Sequence, residues 1–230
     1  MTKRIGILGG ISAASTAEYY DRIIAKYFAR MGDYYYPEIV IFSLNFQRFT
    51  DYEDTGDRVG YIAEIMSGIH ALERAGVDFI IMAANSPHAV FPEVAAQAAV
   101  PLLSIVRVTC AAALAHNLRR LLLLGIRFTM QSTFYQEIGR ELGLAIVTPD
   151  EAEQDEINAI IFDELARGIV TEASRRQLLN IIARYPVDGV ILGCTELPLI
   201  LSRDVAADVP LLDTLDLHAQ AALDFALAED

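Results

Sequence analysis

The sequence predicts an α/β fold of two pseudo-symmetric lobes, each a parallel sheet flanked by helices. Three observations carry that expectation. Short apolar runs without polar alternation recur along the chain, as strands buried on both faces require. Longer segments of helical period separate them, which is the pattern of parallel sheets covered by helices on both sides. One strand with its following turn also recurs at an offset of 110 residues, position 84 against position 194.

In chain order, the expected buried strands are Ile5 to Leu8, Ile39 to Leu44, Phe79 to Met82, Leu121 to Leu124, Leu144 to Val147 and Val190 to Leu192. Helical periodicity runs over about 15–29, 57–75 and 133–142, and again over 156–167, where Gly168 offers a C-cap, and 172–183. The repeat aligns Val77-Asp78-Phe79-Ile80-Ile81-Met82-Ala83-Ala84 with Val187-Asp188-Gly189-Val190-Ile191-Leu192-Gly193-Cys194. A looser echo pairs Ile7-Leu8-Gly9, Ser15-Thr16 and Tyr19-Tyr20 with Leu123-Leu124-Gly125, Ser132-Thr133 and Phe134-Tyr135. The expected lobes are therefore 1–98 and 99–212, with a last helix in 213–230 packed back on the first lobe. Each lobe is flavodoxin-like. Ligands of open α/β sheets bind beyond the carboxyl ends of the strands, which points to a site in a cleft between the lobes.

Composition narrows the function. The 230 residues are 53% hydrophobic and carry a net charge of −13, with a pI near 4.7. So acidic a chain repels phosphate backbones, and no nucleic-acid partner is expected. The short basic run Arg119-Arg120 abuts an apolar strand and reads as a helix end or loop. No apolar run approaches the roughly 20 residues that span a bilayer, and Gly9-Gly10 interrupts the first one, so neither a membrane partner nor a signal peptide is expected. Two cysteines, Cys110 and Cys194, are too few for a disulfide framework and suit a reduced, cytoplasmic setting. Neither metal-ligand spacing at His70, His116 and His218 nor a dinucleotide-binding glycine pattern is present, so no metal or cofactor is expected.

The sharpest chemical feature is Gly193-Cys194-Thr195-Glu196 at the expected end of a strand. A helix N-terminus beyond that loop would favour the thiolate of Cys194 and lower its pKa from about 8.5. Glu196 is placed to orient the thiol. The mirror position holds Ala84, which transfers no proton, followed by Asn85-Ser86-Pro87-His88, whose polar groups and turn N–H groups can bind a carboxylate. Ser12 follows the first strand and reads as a carboxylate ligand or a helix cap. Cys110 lies in an alanine-rich helical stretch and reads as core.

Taken together, Ile7-Leu8-Gly9-Gly10 with Ser15-Thr16-Ala17-Glu18-Tyr19-Tyr20, then Ala83-Ala84-Asn85-Ser86-Pro87-His88, then Leu192-Gly193-Cys194-Thr195-Glu196-Leu197 resemble the aspartate/glutamate racemase superfamily. The Cys-Thr-Glu-Leu form is similar to its aspartate racemase branch. The resemblance covers nearly the whole chain. It implies a cofactor-independent amino-acid racemase, working as a homodimer, in which two cysteines exchange protons on opposite faces of the substrate Cα. By that resemblance Cys194 is the second catalytic cysteine and the first falls on Ala84. Asn85, Ser86, Thr195 and Ser12 would hold the α-carboxylate, His88 would orient the loop or assist proton transfer, and Arg48 would meet the distal carboxylate of an acidic substrate. An acidic-basic pair of the family falls on Gln47-Arg48 and a lysine on Ala166, beside Arg167, so strict aspartate specificity does not follow. With Ala84 in place, three readings stand. The chain is a one-thiol racemase in which water, Ser86 or another group serves the second face. Or it is a one-face catalyst resembling the one-cysteine arylmalonate decarboxylases. Or Ala84 is an engineered replacement. A non-catalytic carboxylate-binding protein is the alternative outside enzymes.

Overall fold

The computed structural model describes residues 2–201 and 209–228. Its chain divides into two compact units, Met1–Ile105 with Leu215–Asp230, and Val106–Thr214.

In the first unit, β1 (Ile5–Gly9), β2 (Ile39–Ser43), β3 (Phe79–Met82) and β4 (Leu102–Leu103) form a parallel sheet in the order β2-β1-β3-β4. Every residue of β1 and β3 is buried, because both faces are covered and successive side chains point to opposite sides. Ile5, Ile7, Phe79 and Ile81 pack with Tyr19 and Ile23 of α1 (Ala13–Met31) and with Leu215, Ala219, Ala222 and Ala226 of α10 (Thr214–Leu227). Leu8, Ile80 and Met82 face the other way, onto Phe49 of α2 (Phe46–Thr55) and Tyr61, Ile65, Ile69 and Leu72 of α3 (Arg58–Arg74). A 3-10 turn, Ser86–Val90, leads from β3 into α4 (Phe91–Ala95).

In the second unit, β5 (Arg120–Leu124), β6 (Ala145–Val147), β7 (Gly189–Leu192) and β8 (Leu211–Asp213) are parallel in the order β6-β5-β7-β8. The helices are α5 (Ile105–Ala115), α6 (Arg127–Gln131), α7 (Phe134–Glu141), α8 (Glu151–Ala159) and α9 (Glu172–Ala183). Leu122, Leu124, Val190 and Leu192 pack on Met130 of α6, Ile157 of α8, and Leu178, Ile181 and Ile182 of α9.

The sequence repeat has a hydrogen-bonding basis. Asp78 accepts the backbone N–H of Arg4 at 2.5 Å, and Asp188 accepts those of Arg119 and Arg120 at 2.8 Å each. Each aspartate thus fixes the start of the strand beside its own. At the far end Ala83 N–H donates to Leu8 O at 2.8 Å and Gly193 N–H to Leu124 O at 2.7 Å. Positions 84 and 194 therefore occupy the same place, one residue past the last ladder bond of their own sheet.

Several expectations are corrected. The run Ile39–Leu44 is not a buried strand: β2 lies at the sheet edge, with Ile41 41% and Phe42 36% exposed. Arg120 opens β5 rather than ending a helix. The helix expected from Glu156 begins at Glu151, where Asp150 and Glu153 form a capping box, and it runs through a wide turn at Ile160–Glu164 before Gly168 closes it at φ 73°.

Candidate functional site

In the first unit the chain leaves β1 through Gly10 at φ 84°, where a Cβ would stand 2.2 Å from Leu44 O. Gly10 N–H donates to Thr16 Oγ1 at 2.9 Å, and that hydroxyl donates to Ser12 O at 2.8 Å. Ser12 Oγ accepts Ser15 N–H at 3.2 Å and so caps α1. Ser12 remains partly exposed, and its hydroxyl oxygen serves the helix.

The loop after β3 is fastened from within. His88 Nδ1–H donates to Ala84 O at 3.1 Å, His88 N–H to Asn85 O at 3.0 Å, and Ile105 N–H donates to His88 Nε2 at 3.2 Å. These partners fix one neutral tautomer, and the ring stacks on Phe91. Burial pushes His88 down to about 3. With both ring nitrogens on backbone groups and 2% exposure, His88 holds the loop and has no nitrogen left for a ligand or for proton transfer. Asn85 and Ser86 are buried beside it, and Ala84 is partly exposed.

Ser86 belongs to a polar knot that sequence reasoning missed. Tyr61 O–H donates to Glu53 Oε1 at 2.9 Å, and Ser86 is hydrogen-bonded through its side chain to both groups. Burial raises the Glu53 carboxyl, while the Tyr61 and Ser86 bonds pull it back. Burial and the Glu53 charge hold the Tyr61 phenol well above its ordinary value. Glu53 lies in a polar helix with no motif around it. The only sequence signal is its place one helical turn after Phe49.

Arg48 stands on the first turn of α2, largely exposed, with Nη2 2.8 Å from buried Glu64 Oε2. Part of its charge is therefore already matched within its own unit. Gln47 donates to Asp51, and Arg167 lies 3.6 Å from Asp163 in open solvent.

In the second unit β7 ends at Leu192, and Gly193 passes so close to Leu124 O that a Cβ would stand 2.9 Å from it. Cys194 follows, partly exposed. Its Sγ–H donates to Glu196 Oε2 at 2.9 Å, and Thr195 Oγ1–H donates to the same oxygen at 2.9 Å. The expected lowering of the Cys194 pKa is overturned. Burial, then the Glu196 charge and its hydrogen bond, raise it well above the ordinary thiol value. Among the described residues, the element beyond the loop is the three-residue turn Leu197–Leu199, too short to supply a helix dipole that outweighs an adjacent carboxylate. Cys194 is thus held as a protonated thiol that donates to the Glu196 carboxylate. Cys110 is fully buried, its thiol pushed up to about 11, in keeping with a core residue.

Among the described residues, no group of three or more His, Cys, Asp or Glu is arranged to hold a metal, and no helix is long and apolar enough to cross a membrane.

Comparison with known proteins bears on this arrangement. The chain is 28% identical over 229 residues to the broad-specificity amino-acid racemase RacX of Bacillus subtilis (strain 168), covering 97% of this chain and 98% of RacX. An aspartate racemase homologue of Pyrococcus horikoshii OT3 superimposes with a TM-score of 0.86 at 36% identity, over 98% of this chain and 100% of that one. A Yersinia pestis crystal structure assigned to the Asp/Glu racemases does so with a TM-score of 0.91 at 32% identity, again over 98% and 100%. The model of the Asp/Glu/Hydantoin racemase family matches residues 8–222, and with these relatives it shows that the chain belongs to that family.

Proposed function

We propose that the protein is a cofactor-independent amino-acid racemase in which Cys194 exchanges a proton with the substrate Cα. The observation that carries this reading is the Cys194–Glu196 pair at the end of β7, a thiol donating to a carboxylate at 2.9 Å. A thiol held protonated is a proton donor, and Glu196 is the base that converts it into an acceptor when the reaction runs the other way. Thr195 shares the carboxylate oxygen and restrains its rotamer.

The remaining roles follow from where each side chain stands in its loop. The candidate α-carboxylate ligands are Asn85, the N–H of Ser86 and, at the start of α1, Ser12 in the first unit, and Thr195 in the second. His88 supports the first of these loops. Arg48, half-matched by Glu64, binds a distal carboxylate weakly, so the substrate class is amino acids of varied side chain, as for the broad-specificity relative RacX. A cytoplasmic homodimer is part of the same reading.

A second reading has one observation in its favour. Ala84 removes one family thiol while Cys194 stays protonated, which suits delivery of a single proton to an enolate, as in a one-thiol decarboxylase. A screen of substituted malonates for CO₂ release distinguishes it.

The test of the racemase reading is incubation with single enantiomers of a panel of amino acids in D₂O, following α-deuteration and optical rotation. Exchange with at least one amino acid supports it. Silence across the panel, in the wild type and in A84C alike, overturns it.

A further inference from the structure

We propose that Ser86, coupled to Glu53, supplies a proton-transfer position in the first unit, in place of the thiol that residue 84 lacks. The inference rests on the racemase reading and deepens it.

A thiol at position 84 would stand two residues past the end of β3. Nothing in the side chain of Ala84 can carry a proton, yet two residues on lies a hydroxyl with an unusual setting. Serine hydroxyls are poor bases because their ordinary acidity is far too low, and they become proton carriers when a partner takes their own proton. Ser86 has such a partner. Glu53, from the last turn of α2, and Tyr61, from the first turn of α3, converge on it, with Tyr61 O–H donating to Glu53 Oε1 at 2.9 Å. Ser86 and Tyr61 are 5% and 4% exposed, so water competes little for these bonds.

The surrounding charges decide which member titrates. On α2, Asp54 raises the Glu53 carboxyl further. On α3, Arg58 eases the Tyr61 phenol down, but its guanidinium is also paired with Glu93 of α4 and bonds Ala89 O at 3.4 Å. In the loop itself His88 is held neutral by burial. Tyr61 therefore stays a neutral donor, and Glu53, whose carboxyl burial raises, is the member that takes the serine proton.

The step balances without a co-reactant. Ser86 Oγ takes the α-proton while its own hydroxyl proton passes to a Glu53 oxygen. The Cα–H electron pair moves into the substrate carboxylate as an enediolate. In reverse, Glu53 returns its proton to Oγ as Ser86 gives its proton to Cα. Ser86 is the catalytic residue, and Glu53 is a positioning residue that acts through it.

The experiment measures α-deuteration of each enantiomer separately in D₂O for the wild type, E53Q, S86A, Y61F and the double variant A84C/E53Q. E53Q and S86A should slow exchange of one enantiomer by about 10²-fold or more and spare the other. A84C/E53Q should recover the lost exchange, which also shows that the E53Q chain is folded. Y61F removes a bond that lowers the Glu53 pKa, so the pH profile for the affected enantiomer should move to higher pH. Wild-type exchange of both enantiomers in E53Q and S86A overturns the proposal. So does equal loss of both without recovery in A84C/E53Q. A silent wild type beside an active A84C overturns this inference while leaving the racemase reading intact, and silence in both overturns the two together.

Discussion

At the scale of single residues, the proposed chemistry turns on what stands next to a sulfur. The Cys194 thiol donates to Glu196, and that carboxylate helps hold the thiol protonated. Replacing the charge with an amide of the same shape removes the Coulomb repulsion and most of the acceptor strength. E196Q should therefore lower the apparent pKa for iodoacetamide alkylation of Cys194. Fully buried Cys110 should react negligibly in the folded protein and serve as the internal control. Alkylation with an unchanged pH midpoint in E196Q would show that burial alone sets the thiol. This electrostatic reversal is illegible in the sequence. Cys194-Thr195-Glu196 can be read as a reactive loop, but whether the carboxylate folds back onto the sulfur depends on rotamers that no spacing encodes.

At the scale of elements, two constraints hold the loop after β3 and the turn after β1. His88 and His218 are buried with both ring nitrogens engaged. Nδ1 of His218 accepts from Tyr19 O–H at 2.9 Å, and its Nε2–H donates to Leu103 O at 3.1 Å. Burial pushes His218 down to about 4 and His88 to about 3, below the ordinary value of 6.5. The unfolded chain then binds these protons first. Stability is full above pH 6.5 and falls as pH drops below it, by up to about 1.4 kcal/mol per pH unit for each histidine. Urea midpoints should decline between pH 7 and pH 5, and a flat midpoint over that window would contradict the assignment. Gly10 is the second constraint. At φ 84°, with the Leu44 carbonyl oxygen 2.2 Å from where the added methyl of G10A would stand, that substitution should cost at least about 2 kcal/mol, measured by urea unfolding.

The elements themselves are unevenly legible. β1, β3, β5 and β7 are plain because central parallel strands must be apolar on both faces. β4 and β8 are not, since two or three residues such as Leu102–Leu103 carry no period. α2 escapes because its apolar content is Phe46, Phe49 and Tyr52 among polar neighbours, and only Phe49 is buried. That omission hides Glu53, the residue on which the proposed proton-transfer role of Ser86 depends.

At the scale of the whole molecule, each unit presents the same device: an aspartate that fixes a strand's start, a fully apolar strand, and a turn that carries chemistry. Repetition of the backbone makes the fold readable, and divergence at positions 84 and 194 makes the proposed function asymmetric. In one unit the turn carries a thiol with its own carboxylate, and in the other an alanine with a serine tied to Glu53 and Tyr61. Family membership points to racemase chemistry, and in the proposed mechanism the side chains around each turn decide how protons move. The most direct measurement is the rate of α-deuteration of an exchanging amino acid by wild type and C194A in D₂O. A drop of about 10²- to 10⁴-fold in C194A, with urea stability retained, is the predicted result. Equal rates in the two proteins would contradict the assignment of Cys194 as the proton carrier.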